Sequence, residues 1–228
     1  MREIFSYIPP GEINWSLQEN VFPKLIKQKD INILEIGPGR GVFAELCKKE
    51  GIGYTAIEVN PTLADNLKEQ GLRVIRARTP PIPVDSNKFD IVYMNQVFEH
   101  MNDIKMARVL IEECCRVLKK SGFLCIISPD YLMWREEFFN GDYTHNYITT
   151  VGRLKEMYYD HDLETVYANY ISGPFFGDPT TFVLSSFSRL FIRPKLIHLL
   201  TFRLIPEERI YKIKYTLLRS FMIIGEKR

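Results

Sequence analysis

Short apolar runs alternate along the chain with stretches in which apolar residues return every three or four positions. INILEI (31–36) predicts a strand, and VFAELCKKE (42–50) the helix after it. YTAIEV (54–59) predicts a second strand. Asn60 and Pro61 supply an N-cap and a first helical residue for TLADNLKEQ, which Gly71 closes. LRVIRA (72–77) is a third strand, and the proline-rich TPPIPVDSNK leads to a fourth, FDIVYMN (89–95). From Asp103 to Lys120, residues Ala107, Leu110, Ile111, Cys114 and Leu118 fall at helical spacing, with Gly122 beyond the end. GFLCIIS (122–128) predicts a fifth strand, stopped at Pro129, while LETVYAN (163–169) suits a sixth and SFMIIGEKR (220–228) a seventh.

Continuous apolar strands are strands covered on both faces. Their alternation with helices predicts an α/β chain with a doubly wound, mostly parallel sheet. We read 1–228 as a single domain: an N-terminal cap over 1–30, a core over 31–170, an insertion over 171–219 and the last strand over 220–228. In the cap, Leu17, Val21, Leu25 and Ile26 lie near helical spacing, broken at Pro23; Tyr7 and Trp15 are placed there in packing. The insertion is long for a connection. It is apolar (FVLSSFSRLFIRPKLIHLLTFRLI) and carries eight basic against three acidic residues, net +5. Core packing or a homodimer face accounts for such a segment, and a helix lying on a membrane surface is the alternative.

Charge narrows the partners. Thirty Lys and Arg against 28 Asp and Glu leave a net +2, so no nucleic-acid partner is expected. Cys47, Cys114, Cys115 and Cys125 lie within apolar segments without metal-type spacing, which fits buried thiols in a reducing compartment. No signal peptide or membrane-spanning run is read from the sequence, so a cytoplasmic protein is expected, at most peripheral to a membrane.

The chemistry concentrates in LEIGPGRGVF (34–43). Gly37, Gly39 and Gly41 follow the first strand, at the switch point where open α/β sheets bind ligands. The dinucleotide fingerprint G-x-G-x-x-G/A would put Val42 at its third position, so the spacing is G-x-G-x-G instead. Glu35 sits beside the loop, and a carboxylate there suits a ligand with positive charge, as S-adenosylmethionine has on its ammonium and sulfonium. Glu58 lies 21 residues past Gly37 at the end of the second strand, where a carboxylate accepts hydrogen bonds from ribose hydroxyls.

ILEIGPGRG, AIEVNP, FDIVYMNQVFEHM and KKSGFLCIISPD together resemble the class I S-adenosylmethionine-dependent methyltransferases. Within them the likeness is to the branch that methylates small molecules, quinone precursors and sugars. It implies a Rossmann-like sheet of seven strands with an antiparallel last strand and a helical insertion before it. It also implies that Glu35, Gly37, Pro38, Gly39 and Gly41 hold the methionine end of S-adenosylmethionine, with Glu58 and Val59 at the ribose side. Asn95 and Gln96 line the cofactor or the transfer path. One departure concerns adenine: Ala77 and Arg78 stand where an acidic residue is usual.

Methyl transfer to a hydroxyl needs a base. His100, in FEHM beyond the fourth strand, and His145, in WREEFFNGDYTHNY after the fifth, are the candidates, with His145 preferred. Asp142 would orient the imidazole, and Tyr143, Asp142 and Trp134 would meet the acceptor, a small molecule, a sugar or a lipid-linked compound. Some relatives hold a divalent ion near such an EH pair. Glu99 and His100 alone are too few for a metal site, so none is expected. A non-catalytic binding or scaffold domain and an NAD-type oxidoreductase are the other readings.

Overall fold

The computed structural model describes residues 31–172, 175–201 and 204–228. The expected cap, with Tyr7 and Trp15, lies outside the described residues. The strands are β1 (Asn32–Ile36), β2 (Gly53–Glu58), β3 (Val74–Arg76), β4 (Phe89–Asn95), β5 (Leu118–Pro129), β6 (Leu163–Ser172), β7 (Phe175–Phe176) and β8 (Ser220–Lys227), in the order β3-β2-β1-β4-β5-β8-β6-β7. The first five pair in parallel, and β8 runs antiparallel between β5 and β6. These are the seven expected strands, with the antiparallel one last in the chain. The two-residue β7 is added at the edge beside β6.

Strand alternation splits the core in two. Leu34, Ile36, Val92, Met94 and Ile126 point to one face, under α3 (Ile104–Val117). Ile33, Tyr93, Cys125 and Ile127 point to the other, against Phe43 and Cys47 of α1 (Val42–Lys49). Both faces are therefore dry, which explains why the parallel strands read as unbroken apolar runs. In α2 (Pro61–Glu69), Asn60 caps as expected: its Oδ1 accepts from the amides of Thr62 and Leu63. α3 ends earlier than its periodicity suggests. Leu118 is already in β5, paired with Phe89, so residues 118–120 extend the strand rather than the helix.

After β5 come two short helices, α4 (Tyr131–Trp134) and α5 (Glu137–Gly141), and then α6 (Val151–Tyr159). The insertion is helical: α7 (Thr180–Phe191), α8 (Pro194–Leu200) and α9 (Glu207–Leu217). It is tied to the sheet by Arg219, which is buried at the entry to β8. Its guanidinium donates to Asp130 Oδ2 from Nε and Nη2 (2.9 and 2.7 Å) and to Asp178 Oδ1 from Nη1 (2.9 Å), and it lies 3.7 Å from the Tyr170 ring centroid.

Candidate active site

The loop between β1 and α1 is shaped by its glycines. Gly37, Gly39 and Gly41 have φ of 69°, 56° and 80°, in the left-handed region that glycine alone enters freely. The neighbours of Gly37 and Gly41 enforce the choice. A Cβ on Gly37 would come 2.6 Å from Val97 Cγ2, and one on Gly41 would come 2.3 Å from Leu67 Cδ2. Gly39 differs, because a Cβ there would meet nothing within 4 Å among the described residues. Among them the tip of the loop is uncrowded, while its two flanks are packed.

Glu58 holds that tip. It is buried at the end of β2, and its Oε2 accepts from the Gly39 amide (3.3 Å) while Oε1 accepts from Asn60 N (2.8 Å). Val59 beside it is 53% exposed. Glu35 is buried one strand over and accepts from the Tyr54 hydroxyl. Burial raises its pKa to about 8; the Tyr54 hydrogen bond opposes this, and the nearby Glu58 charge adds to it. Across the crevice β4 ends in Asn95, whose Oδ1 is enclosed without a hydrogen-bond partner among the described residues. Gln96 follows with φ of 55°, its amide bonded to Ile127 O. The expected cofactor residues are therefore brought together at the ends of β1, β2 and β4. Their chemistry fits S-adenosylmethionine, a cationic ligand with hydroxyls: an uncrowded Gly39, two buried carboxylates, and an Asn95 oxygen without a hydrogen-bond partner among the described residues.

Val97 connects this crevice to a second group of residues. It packs on Gly37 and opens the 3-10 turn Phe98–His100. The backbone carbonyl of Glu99 accepts from the amides of Asn146 and Tyr147, which draws the 142–147 loop onto the turn. The His100 and His145 rings meet edge to face with centroids 4.9 Å apart. His145 Nδ1 donates to the Phe138 carbonyl (2.6 Å), leaving Nε2 to face Glu99 Oε1 at 4.0 Å. Burial, with His100 alongside, pushes the His145 pKa down to about 4, so the ring is neutral near pH 7 and holds a lone pair on Nε2.

His100 is set by a relay. Thr144 Oγ1 donates to Asp142 Oδ1 (2.6 Å), so His100 Nδ1 donates to Thr144 Oγ1 (2.9 Å). Asp142 therefore orients His100 through Thr144. Its expected partner, His145, takes its tautomer from the Phe138 carbonyl instead. Burial raises the Asp142 pKa, but the Thr144 hydrogen bonds and the two histidines outweigh it, and the net shift is downward. Glu99 is fully buried; one oxygen accepts from Ser128 Oγ (2.8 Å), and the other has no hydrogen-bond partner among the described residues. Burial lifts its pKa, with the His100 charge opposing. Donor atoms of Glu99, His100 and His145 all lie within 4.8 Å of one another. The EH pair alone was too small for a metal site; His145, 45 residues further on, adds the third donor.

The expected acceptor residues separate. Tyr143 is 81% exposed at the loop tip. Trp134 is buried, stacked on Tyr215 (5.5 Å), and its Nε1 donates to Arg219 O, so the structure engages it in packing. The proline-rich loop after β3 is anchored by a pair on α3, Glu113 and Arg116, that no local motif marks. Glu113 accepts from the Ile82 amide, and Arg116 donates to the carbonyls of Ile82 and Val84 while bridging Glu113 (2.7 Å).

Residues 34–126, which carry the glycine loop, Glu58 and the EH turn, match the family described as "Methyltransferase domain". This stretch is similar to the domains of that family, and the match covers less than half of the chain. The chain is 32% identical over 124 residues to a malonyl-[acyl-carrier protein] O-methyltransferase of Calditerrivibrio nitroreducens, covering 51% of this chain and 49% of that protein. It is 31% identical over 103 residues to a ubiquinone biosynthesis O-methyltransferase of Pelagibacter ubique, covering 43% and 42%. The chain thus spans about half the length of the curated relatives it matches. A solved S-adenosylmethionine-dependent methyltransferase from Archaeoglobus fulgidus shares the fold, with TM-score 0.61, 20% identity, and coverage of 94% of this chain and 99% of that one.

Proposed function

We propose that the chain transfers a methyl group from S-adenosylmethionine to a hydroxyl of a small-molecule, sugar or lipid-linked acceptor in the cytoplasm. The observation that carries the reading is the join made by Val97, which sets the Glu99–His100–His145 group directly beside the glycine loop. The cofactor supplies an already activated methyl on a sulfonium, which becomes a neutral thioether as the methyl leaves.

The chain's own part is alignment and proton handling. The glycine loop and Glu35 would hold the cofactor's methionine end, Glu58 its ribose, and Asn95 would line the cofactor or the transfer path. Nε2 of His145 or His100 takes the acceptor's hydroxyl proton as the oxygen attacks. Buried Glu99 then lies opposite the positive charge formed on the imidazole. Depression of the His145 pKa keeps that base free well below neutrality.

A second version of the step is favoured by the three converging donors. A divalent ion held by them would lower the acceptor's pKa directly and replace the protein base. Dialysis against EDTA, followed by activity and metal analysis, separates the two. The whole reading is tested by calorimetry with S-adenosylmethionine and with NAD, and by mass spectrometry of candidate acceptors incubated with methyl-labelled cofactor. Binding of NAD alone would return the chain to the oxidoreductase class. Cofactor binding without transfer to any hydroxyl compound would favour a binding domain. Under the protein-base version, His145→Ala lowers turnover by about 10²–10⁴-fold with cofactor affinity nearly unchanged. Loss confined to His100→Ala would make His100 the base.

A further inference from the structure

Helix α7 is built inside out. The residues it buries are Thr181, Ser185 and Ser188, each bonded to backbone: Thr181 Oγ1 donates to Gly177 O, Ser188 Oγ donates to Lys214 O, and Ser185 Oγ accepts from Arg219 N. Its exposed face carries Phe182, Val183, Phe187, Leu190 and Phe191. Phe187 and Phe191 stack on each other at 5.1 Å and still face solvent, with Phe191 65% exposed. α8 and the turn after it add Leu196, Leu199, Leu200 and Leu204, the last 83% exposed. Single exposed apolar residues are ordinary, but a contiguous run marks a surface that is covered in use.

Charge selects what covers it. Between Asp178 and Glu207 the sequence has no acidic residue, while Arg193 and Lys195 stand exposed at the α7–α8 junction and Arg189 closes α7. A second copy docked on the same face would oppose these cations with identical cations. A nucleic acid would match the charge but leave the leucines and phenylalanines without partners. Apolar side chains fringed by Lys and Arg match an anionic bilayer surface, where the rings enter the acyl boundary and the basic heads stay at the phosphates. No helix among the described residues is long and apolar enough to cross a membrane.

We infer that α7 and α8 form an interfacial docking surface for anionic membranes. This stands apart from the methyl-transfer reading, because membrane binding needs neither cofactor nor acceptor. Flotation of the full chain with phosphatidylcholine vesicles, with and without phosphatidylglycerol, tests it. Each basic residue near an anionic surface gains about fivefold in partitioning. The chain is therefore expected to float with the anionic vesicles, at least about tenfold better than with the neutral ones, and less as salt rises. Phe187→Glu with Phe191→Glu should abolish flotation while melting temperature and S-adenosylmethionine affinity stay as in the parent. Arg193→Gln with Lys195→Gln should erase the preference for phosphatidylglycerol. The inference is overturned by absent flotation, by undiminished flotation of the double Glu variant, or by a dimer in sedimentation that this variant disperses.

Discussion

Helices α3 and α7 carry the same kind of amphipathic pattern and use it in opposite directions. α3 buries Ala107, Leu110, Ile111, Cys114 and Val117 against the sheet. α7 buries Thr181, Ser185 and Ser188 and turns its phenylalanines outward. α3 covers strands whose backbone groups are already paired, so only apolar area is left to gain. α7 covers a seam where its hydroxyls serve backbone groups: Ser185 takes the Arg219 amide at the entry to β8, and Ser188 adds a second donor to the Lys214 carbonyl of α9. Periodicity shows that a helix has two faces; what it packs against decides which face goes in.

The contrast breaks hardest at the glycine loop, where geometry resides in backbone alone. Gly39→Val adds bulk in open space, at a φ costly for a β-branched residue but clear of other atoms. The variant is expected to fold and to lose S-adenosylmethionine binding altogether in calorimetry. Gly41→Val, which meets Leu67 Cδ2 at a positive φ, should lower the melting temperature more than Gly39→Val does, as followed by circular dichroism. Retained binding in Gly39→Val would remove the cofactor from the loop tip.

The core half was legible because its signals are local. Gly37, Gly39 and Gly41 fall within five residues, Asn60 caps the helix after β2, and unbroken apolar runs report strands covered twice. What stayed hidden depends on residues far apart in the chain. Nothing in FEHM or GDYTHNY tells that the Glu99 carbonyl draws in the 142–147 loop, that His145 bonds to Phe138 O, or that Asp142 serves His100 through Thr144. The end of α3 was misplaced for the same reason: Leu118 suits a helix locally, but its partner Phe89 lies 29 residues back. A run such as FVLSSFSRLF predicts a helix and cannot say which face meets Arg219.

The next largest effect belongs to the insertion. Arg219→Leu removes the cation that neutralises Asp130, which has no exposed surface. An uncompensated buried charge costs about 3–5 kcal/mol. For a chain of this size that is a fall of roughly 10 °C in melting temperature. The loss should be relieved in part by adding Asp130→Asn, because the stranded charge is then gone. An unchanged melting temperature would mean that the insertion is not anchored through this pair.

Glu35 offers a smaller, graded test on the core side. Its raised pKa means that the unliganded folded chain keeps a proton between about pH 4.5 and 8 that the unfolded chain has released. Stability without ligand therefore falls as pH rises through that window. Binding an ammonium needs the carboxylate, so the proton must leave first. Cofactor affinity should climb about tenfold per pH unit up to roughly pH 7 and level off near 8. Glu35→Gln should flatten both profiles. An affinity independent of pH in the parent chain would place the ammonium elsewhere.

The smallest effects draw the sharpest line, on two adjacent residues of α7. In a helix of the α3 kind, replacing a phenylalanine costs far more than replacing a serine. In α7 the order should reverse. Ser188→Ala removes one of the two donors to the Lys214 carbonyl, the other being the Leu218 amide, a loss of about 1 kcal/mol. Phe187→Ser removes a ring that is half exposed and touches mainly Phe191, so the change should stay within about 0.5 kcal/mol. Urea unfolding of the two variants measures the difference directly. The slope of the transition should match the parent in both, because neither substitution changes the surface that unfolding exposes by much. A loss above about 2 kcal/mol for Phe187→Ser would show that the ring is core, that its face is covered within the chain, and that α7 follows the same rule as α3.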